Sequence, residues 1–289
     1  IQYKTVMKLS KLCNGFTIMI GDPDQNIYQF QGGSDIFLMN HEGDKTTLIK
    51  NYRSSKSIVN FINEFRPWKQ STKPMIAMRN VTGKLPIIYC DKLSKLKESI
   101  VNDIKKCNIP YEDIAIIGPV KKGNFDGWGI HKNFGLQIIA NLFEENGIDY
   151  ETHYNFSDND NVSKRVSNIK PGHVNLYTIH GSKGLEFKKV ILINFHLCTM
   201  GRIPNQKKYN EFKYLWYVGL SRAIDELSIV IESNKLTWNG LKEVPKKLYK
   251  VIGEAPKYKD ILKEETKPEL YSVTKLLEHE LFTEEKQFE

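Results

Sequence analysis

Read as a pattern of apolar and polar positions, the chain alternates strand-like runs with amphipathic helical repeats along most of its length. Tyr3, Val6, Leu9 and Leu12 recur at helical spacing and stop at Asn14-Gly15, a helix-ending pair. Residues 16–20 then predict a buried strand entering Gly21, and residues 46–50 predict another. Ser54 stands where it can cap a helix whose inner face is Ile58, Phe61, Ile62 and Phe65, closed by Pro67. Residues 85–90 predict a strand, and Leu93, Leu96, Ile100, Ile104 and Cys107 mark a helix face. A strand at residues 114–117 ends at Gly118-Pro119, and Leu136, Ile139, Leu142 and Phe143 form a further helix stopped by Gly147. Residues 190–193 are continuously apolar, as in a strand covered on both faces. A helix carrying Leu215 to Ala223 leads into a last strand at residues 227–231.

This alternation predicts an α/β fold, a parallel sheet with helices on both sides. Residues 120–133 have no clear period, and residues 155–172 read as a polar loop. Beyond about residue 235 the pattern degrades into a Lys- and Glu-rich extension, expected to be partly ordered, in which Tyr271-Ser-Val-Thr-Lys-Leu-Leu could start one more helix. The polar stretch from His180 to Glu186 lies between two strand-like runs. Ligands of such sheets gather at the carboxyl ends of strands, which is where His180, Ser182, Lys183, Gly184 and Glu186 are expected.

Composition narrows the picture. The 289 residues suffice for one large or two medium domains, and 40% hydrophobic with 26% charged residues is ordinary for a soluble globular protein. No apolar run approaches a membrane span, no signal peptide opens the chain, and the first residue is not Met, which predicts a soluble intracellular piece of something longer. Cys13, Cys90, Cys107 and Cys198 are far apart and the His residues make no close ligand pairs, so a reduced, metal-free chain is expected. The net charge of +8 fits a polyanionic partner only weakly, because the lysines are scattered in pairs over the sequence.

Four ordered stretches sharpen the reading: Gly21-Asp-Pro-Asp-Gln-Asn-Ile-Tyr-Gln-Phe-Gln-Gly-Gly33, Asn51-Tyr-Arg-Ser54, His180-Gly-Ser-Lys-Gly-Leu-Glu-Phe187, and Glu211-Phe-Lys-Tyr-Leu-Trp-Tyr-Val-Gly-Leu-Ser-Arg-Ala223. In this order they resemble motifs III, IV, V and VI of the UvrD/Rep family of superfamily 1 DNA helicases, over about residues 16–231. The resemblance implies a RecA-like architecture: residues 1–40 as the tail of a first lobe, 41–235 as a second lobe lacking the large accessory insertion, and 236–289 as the extension. It implies ATP and Mg²⁺ as cofactors, 3′-to-5′ travel on single-stranded DNA, and a missing amino-terminal lobe as the partner.

The resemblance also assigns roles. Gln25 is similar to the residue that reports the terminal phosphate, a task suited to an amide that both donates and accepts. A solvated loop glutamine would look the same. Tyr28 and Phe30 would stack on unpaired bases, although core packing fits them equally well. Tyr52 resembles the residue that stacks on adenine. Arg53 and Arg222 resemble two arginines directed at the γ-phosphate, where a fixed, always-charged fork neutralises transferring oxygens. Glu186 matches the residue that takes a sugar hydroxyl, and Gly184 would let the backbone approach the nucleotide. Thr178, His180 and Lys183 match positions near the DNA backbone or the lobe interface, with a core role equally open for His180. Gln31 departs from the family's usual Arg, which removes a phosphate contact.

Absences complete the reading. No phosphate-loop sequence occurs, and Asp225-Glu226 precedes its strand, so it cannot be the Mg²⁺-binding acidic pair. The chain alone is therefore expected to hydrolyse no ATP. The competing expectation is a non-hydrolysing nucleic-acid-binding or scaffold module derived from a helicase lobe. Gln31 favours it, while Gln25, Arg53, Glu186 and Arg222 oppose it. Pathway and oligomeric state are open at this level.

Overall fold

The structure, a computed structural model, describes residues 2–28, 33–41, 43–119, 121, 135–154, 169–196 and 206–258. Predictions falling on residues 120 and 122–133, on residues 155–168 and on the stretch after Tyr258 lie outside them. The chain divides into two compact units, one built on residues up to Thr46 and the other spanning Thr47–Lys259.

In the first unit, helix α1 (Gln2–Leu12) forms where the spacing places it, but its apolar stripe faces outward at Val6, Leu9 and Leu12. A short 3₁₀ turn (Pro23–Gln25) and helix α2 (Ile36–Met39) follow. Residues 16–20 do not form the expected buried strand: Phe16, Ile18 and Ile20 are 87%, 71% and 91% exposed. A strand needs a neighbour to take its backbone hydrogen bonds, and among the described residues none pairs with this segment.

The second unit opens with a small parallel ladder of β1 (Lys50–Asn51) and β2 (Ile76–Ala77), with helix α3 (Lys56–Asn63) between them in sequence. Seven further strands form one sheet. They are β3 (Ile87–Asp91), β4 (Ile114–Gly118), β5 (Tyr150–Thr152), β6 (Val174–Thr178), β7 (Phe187–Ile193), β8 (Ala223–Glu232) and β9 (Lys250–Gly253). Their spatial order is β5-β6-β4-β7-β8-β3-β9, and every pairing is parallel. Helices α4 (Leu93–Lys105), α5 (Leu136–Glu145) and α6 (Gln206–Leu220) complete the unit.

Alternation along the strands explains the two-sided core. Ile114 and Ile116 of β4, Leu176 of β6 and Ile191 of β7 pack with α4 and α5 through Leu96, Ile100, Leu136 and Phe143. On the other face Leu192 meets α6, where a Cβ on Gly219 would stand 2.9 Å from its Cδ1, so only glycine lets helix and strand approach. An aromatic cluster covers the same region: Phe195 packs on Trp216, and Phe65 stacks on Trp238.

One further expectation changes. Ser54 is not the cap of α3; Ser55 precedes the helix, while the buried Ser54 Oγ donates to Ala223 O at 2.7 Å. Residues 236–258, the described part of the expected carboxyl-terminal extension, pack onto the second unit. Trp238, Leu241 and Val244 are buried, and β9 adds an edge strand beside β3. Their apolar residues are sparse and separated by lysines, so no helical or strand period announces them.

Candidate functional site

The link between β6 and β7, residues 179–186, forms successive turns and no regular helix. Its endpoints lie on opposite edges of the sheet. Gly118 at the end of β4 is level with Thr178, whereas Ile114 at the start of β4 is level with Lys189 near the start of β7. Thr178 therefore stands at the carboxyl edge and Glu186 at the amino edge. This corrects the expectation of a loop lying wholly at the carboxyl ends. A helical crossover takes a dozen or more residues, and a link this short must itself run back through the depth of the sheet.

The turns have local causes. Thr178 Oγ1 accepts the amide of Gly181 at 3.1 Å, and Thr178 O accepts that of Ser182 at 2.9 Å. The buried Ser182 Oγ donates to Ile179 O. Gly184 has φ +91°, in the left-handed region that favours glycine, but a Cβ there would meet nothing within 4 Å. Its left-handed φ turns the chain here, and the space beside its Cα is open. His180 is half-buried and Lys183 exposed on the same link.

At the amino edge three segments meet. Phe187 pairs with Ala223, and its amide donates to Arg222 O at 2.9 Å, which sets Glu186 and Arg222 side by side in the chain's path. Asn51 Oδ1 accepts the amides of Arg53 and Ser54 at 3.0 and 2.9 Å, a side-chain-closed turn of the kind asparagine favours. Ser54 then bonds Ala223 O, and Ser55 N bonds Ile224 O at 2.9 Å. The sequence Asn-Tyr-Arg-Ser is in this way stitched to the start of β8. The outcome is an ion pair, Arg53 Nε to Glu186 Oε2 at 2.5 Å, with the side chains 41% and 50% exposed.

Arg222 is 2% exposed. Its Nε donates to Val218 O at 3.0 Å, Nη1 to Leu185 O at 3.1 Å and Nη2 to Ser221 Oγ at 2.8 Å. It fastens the end of α6 to the residue preceding Glu186. Beside this cluster Tyr52 is 66% exposed and borders a groove of about 460 Å³ lined also by Thr47, Leu48, Ile49 and Lys50. Tyr52 thus presents an exposed ring one residue along the chain from the Arg53–Glu186 ion pair.

Gln25 and Tyr28 belong to the other unit. Gln25 Nε2 donates to Asp22 Oδ2 at 2.7 Å, and Asp22 Oδ1 caps the short turn by accepting Asp24 N. Gly33 N donates to Tyr28 O at 3.1 Å. Phe30 and Gln31 lie outside the described residues.

Three residues at the site carried no sequence signal. Arg79 Nη1 donates both to Arg53 O and to Asp225 Oδ1, each at 2.8 Å. Behind them Lys189 is buried between Asp103 Oδ1 at 2.9 Å and Glu226 Oε2 at 2.8 Å, and Lys84 also reaches Glu226. Burial pushes the Glu226 carboxyl up, but hydrogen bonds from Lys189 and Lys84 outweigh it and hold the group below its ordinary value. Burial likewise opposes the Lys189 charge, and its two carboxylates win, leaving it raised. Asp225 and Glu226 thus face cations of the chain itself. Among the described residues no cluster of carboxylates, His or Cys could hold a metal ion, and no helix is long and apolar enough to cross a membrane.

Residues 137–234 match the UvrD-like helicase C-terminal domain. A protein of Acanthamoeba polyphaga mimivirus, provisionally named ATP-dependent DNA helicase R568, is 31% identical over 96% of this chain. The match spans 40% of that protein's length. The ATP-dependent DNA helicase Rep of Buchnera aphidicola is 40% identical over 68 residues, 22% of this chain and 10% of that one. Among solved structures, the C-terminal domain of a possible DNA helicase from Lactobacillus plantarum WCFS1 aligns at TM-score 0.41 and 23% identity, covering 70% of this chain and 98% of that one.

Proposed function

The chain carries a UvrD/Rep-type carboxyl-terminal region, and on that premise we propose that it is the second lobe of an ATP-dependent 3′-to-5′ DNA translocase. It supplies arginines for the γ-phosphate and contacts for single-stranded DNA. The observation that carries the reading is the meeting of Arg53 with Glu186 beside the buried Arg222 anchor.

In this reading ATP bound against an amino-terminal lobe supplies the phosphoanhydride whose hydrolysis drives movement. Tyr52 offers its ring to the base. Glu186 turns from Arg53 to a sugar hydroxyl, and the freed Arg53 guanidinium neutralises charge on the phosphate oxygens. Arg222 holds the Leu185 carbonyl and so the height of Glu186. It joins Arg53 at the phosphate by exchanging that carbonyl for a phosphate oxygen. Thr178, His180 and Lys183 line the DNA side of the link, with Tyr28 and Phe30 as stacking surfaces. Among the described residues no group of carboxylates, His or Cys could hold Mg²⁺, and Asp225 and Glu226 are neutralised by Arg79, Lys84 and Lys189. The Mg²⁺ site belongs to the amino-terminal lobe.

The test is ATP hydrolysis with and without single-stranded DNA. A polypeptide containing both lobes should turn over ATP faster with DNA and displace strands from a 3′ tail, while residues 1–289 alone should do neither. Hydrolysis by residues 1–289 alone would overturn the division of labour. Two-lobed protein that binds DNA without hydrolysis would favour the scaffold alternative.

A further inference from the structure

We propose that Arg79 and Asp225 are positioning residues for Arg53, a clamp that fixes the main chain of the arginine to the strand following Arg222. The inference rests on the reading of Arg53 given above.

The clamp is built into a stiff frame. Met78 N bonds Asn51 O at 2.8 Å, Lys56 N bonds Val81 O at 3.0 Å and Ser57 N bonds Thr82 O at 2.8 Å, so Arg79 is held between a tie to β1 before it and ties to the start of α3 after it. Gly83 completes the tie: its φ is +75°, and a Cβ would stand 2.3 Å from Ser55 Oγ. From this frame one guanidinium nitrogen bridges Arg53 O and Asp225 Oδ1. Both charged groups are about one-third exposed, at 29% and 34%, so neither is a fully solvated surface charge.

Arg53 has a long side chain that can reach its target from many backbone positions. Its own amide is set by Asn51, and its carbonyl is set by Arg79 alone among the bonds described here. Next to it Ser54 and Ser55 are bonded to Ala223 and Ile224, and Arg79 adds a side-chain tie from Arg53 to Asp225. The Ser54–Ala223 and Ser55–Ile224 bonds and the Arg79 bridge between Arg53 O and Asp225 thus form a three-point seam between the two arginine-bearing segments. A guanidinium is suited to this bridge because a single terminal nitrogen carries two N–H donors in fixed, coplanar directions.

The experiment compares Arg53→Ala, Arg79→Ala, Asp225→Asn and the double variant Arg53→Ala/Arg79→Ala in the two-lobed protein, measuring kcat, KM for ATP and melting temperature. A misplacement of about 1 Å can cost on the order of 10²-fold, so Arg79→Ala should lower kcat by roughly 10- to 100-fold with KM nearly unchanged. Asp225→Asn should lower it in the same direction, and in the Arg53→Ala background Arg79→Ala should add nothing further. If Arg53→Ala is crippled while Arg79→Ala and Asp225→Asn turn over normally, or if Arg79→Ala multiplies the Arg53→Ala defect, the clamp is overturned and the phosphate role stands. If Arg53→Ala is itself normal, both fall. Arg79→Ala protein that does not fold leaves the decision to Asp225→Asn, with the same two outcomes.

Discussion

Arg53 Nε stands 2.5 Å from Glu186 Oε2, and each residue is one position from a hydrogen bond to the main chain at the start of β8: Ser54 Oγ to Ala223 O, and Phe187 N to Arg222 O. The pair itself is half exposed, and such ion pairs contribute only about 0–1 kcal/mol. It is therefore held by the backbone around it and is cheap to open. An arrangement that costs little to separate suits side chains that must turn to a ligand.

Glu186→Ala should thus leave the melting temperature nearly unchanged while weakening nucleotide binding. A hydrogen bond to a charged group is worth about 1.5–3 kcal/mol, so the dissociation constant should rise by roughly 10- to 100-fold in the two-lobed protein. Unchanged affinity in an equilibrium titration with a fluorescent nucleotide would remove the sugar-binding role.

Tyr52→Ala should weaken the same titration more modestly, since an aromatic stack is worth about 0.5–1.5 kcal/mol, while Tyr52→Phe should bind normally. Because the ring is exposed, neither change should alter stability. Equal binding by all three proteins would mean that the base rests elsewhere.

Lys189→Met should destabilise strongly. Breaking a buried charge pair typically costs about 3–5 kcal/mol, because Asp103 and Glu226 are left facing each other without their cation. The pH dependence follows from the shifts. Glu226, lowered on folding, adds stability above its ordinary value that is lost as pH falls through its folded value. Lys189, raised on folding, adds stability that is complete below its ordinary value and lost as pH rises through its folded value. The gap between wild type and Lys189→Met in urea unfolding should be widest near neutrality and narrow in acid, where the carboxylates protonate. A gap that widens in acid would contradict the assignment.

Gly83→Ala should also destabilise, because the left-handed φ and the Ser55 hydroxyl both resist a methyl group. A strained backbone of this kind costs about 1–3 kcal/mol, which thermal unfolding would register. Pairing it with Ser55→Gly should recover the part due to contact and leave the part due to φ. No recovery at all would locate the whole effect in the backbone.

The sheet was legible because its strands are covered on both faces: residues 114–117 and 190–193 have no polar interruption, and α4 and α5 repeat at helical spacing. Residues 16–20 misled for the same reason. Apolarity announces a strand only if a neighbour pairs with it, and pairing is not written in the run itself. The sign of the 179–186 link was also hidden, because which edge a loop ends on depends on the register of β4 with both neighbours. Asn51, Tyr52, Arg53 and Ser54 stood out as a motif, but Arg79 had no pattern to betray it, and Asp225 stood out only as half of an acidic pair, with nothing to join it to Arg79. They act through single contacts between segments far apart in the chain.

The most direct measurement is the turnover of Arg53→Ala in the two-lobed protein, taken together with its equilibrium affinity for ATP. The account predicts a fall in kcat on the order of 10³-fold, the lower part of the range for arginine fingers, with affinity changed only a few-fold. Turnover within a few-fold of wild type would contradict it.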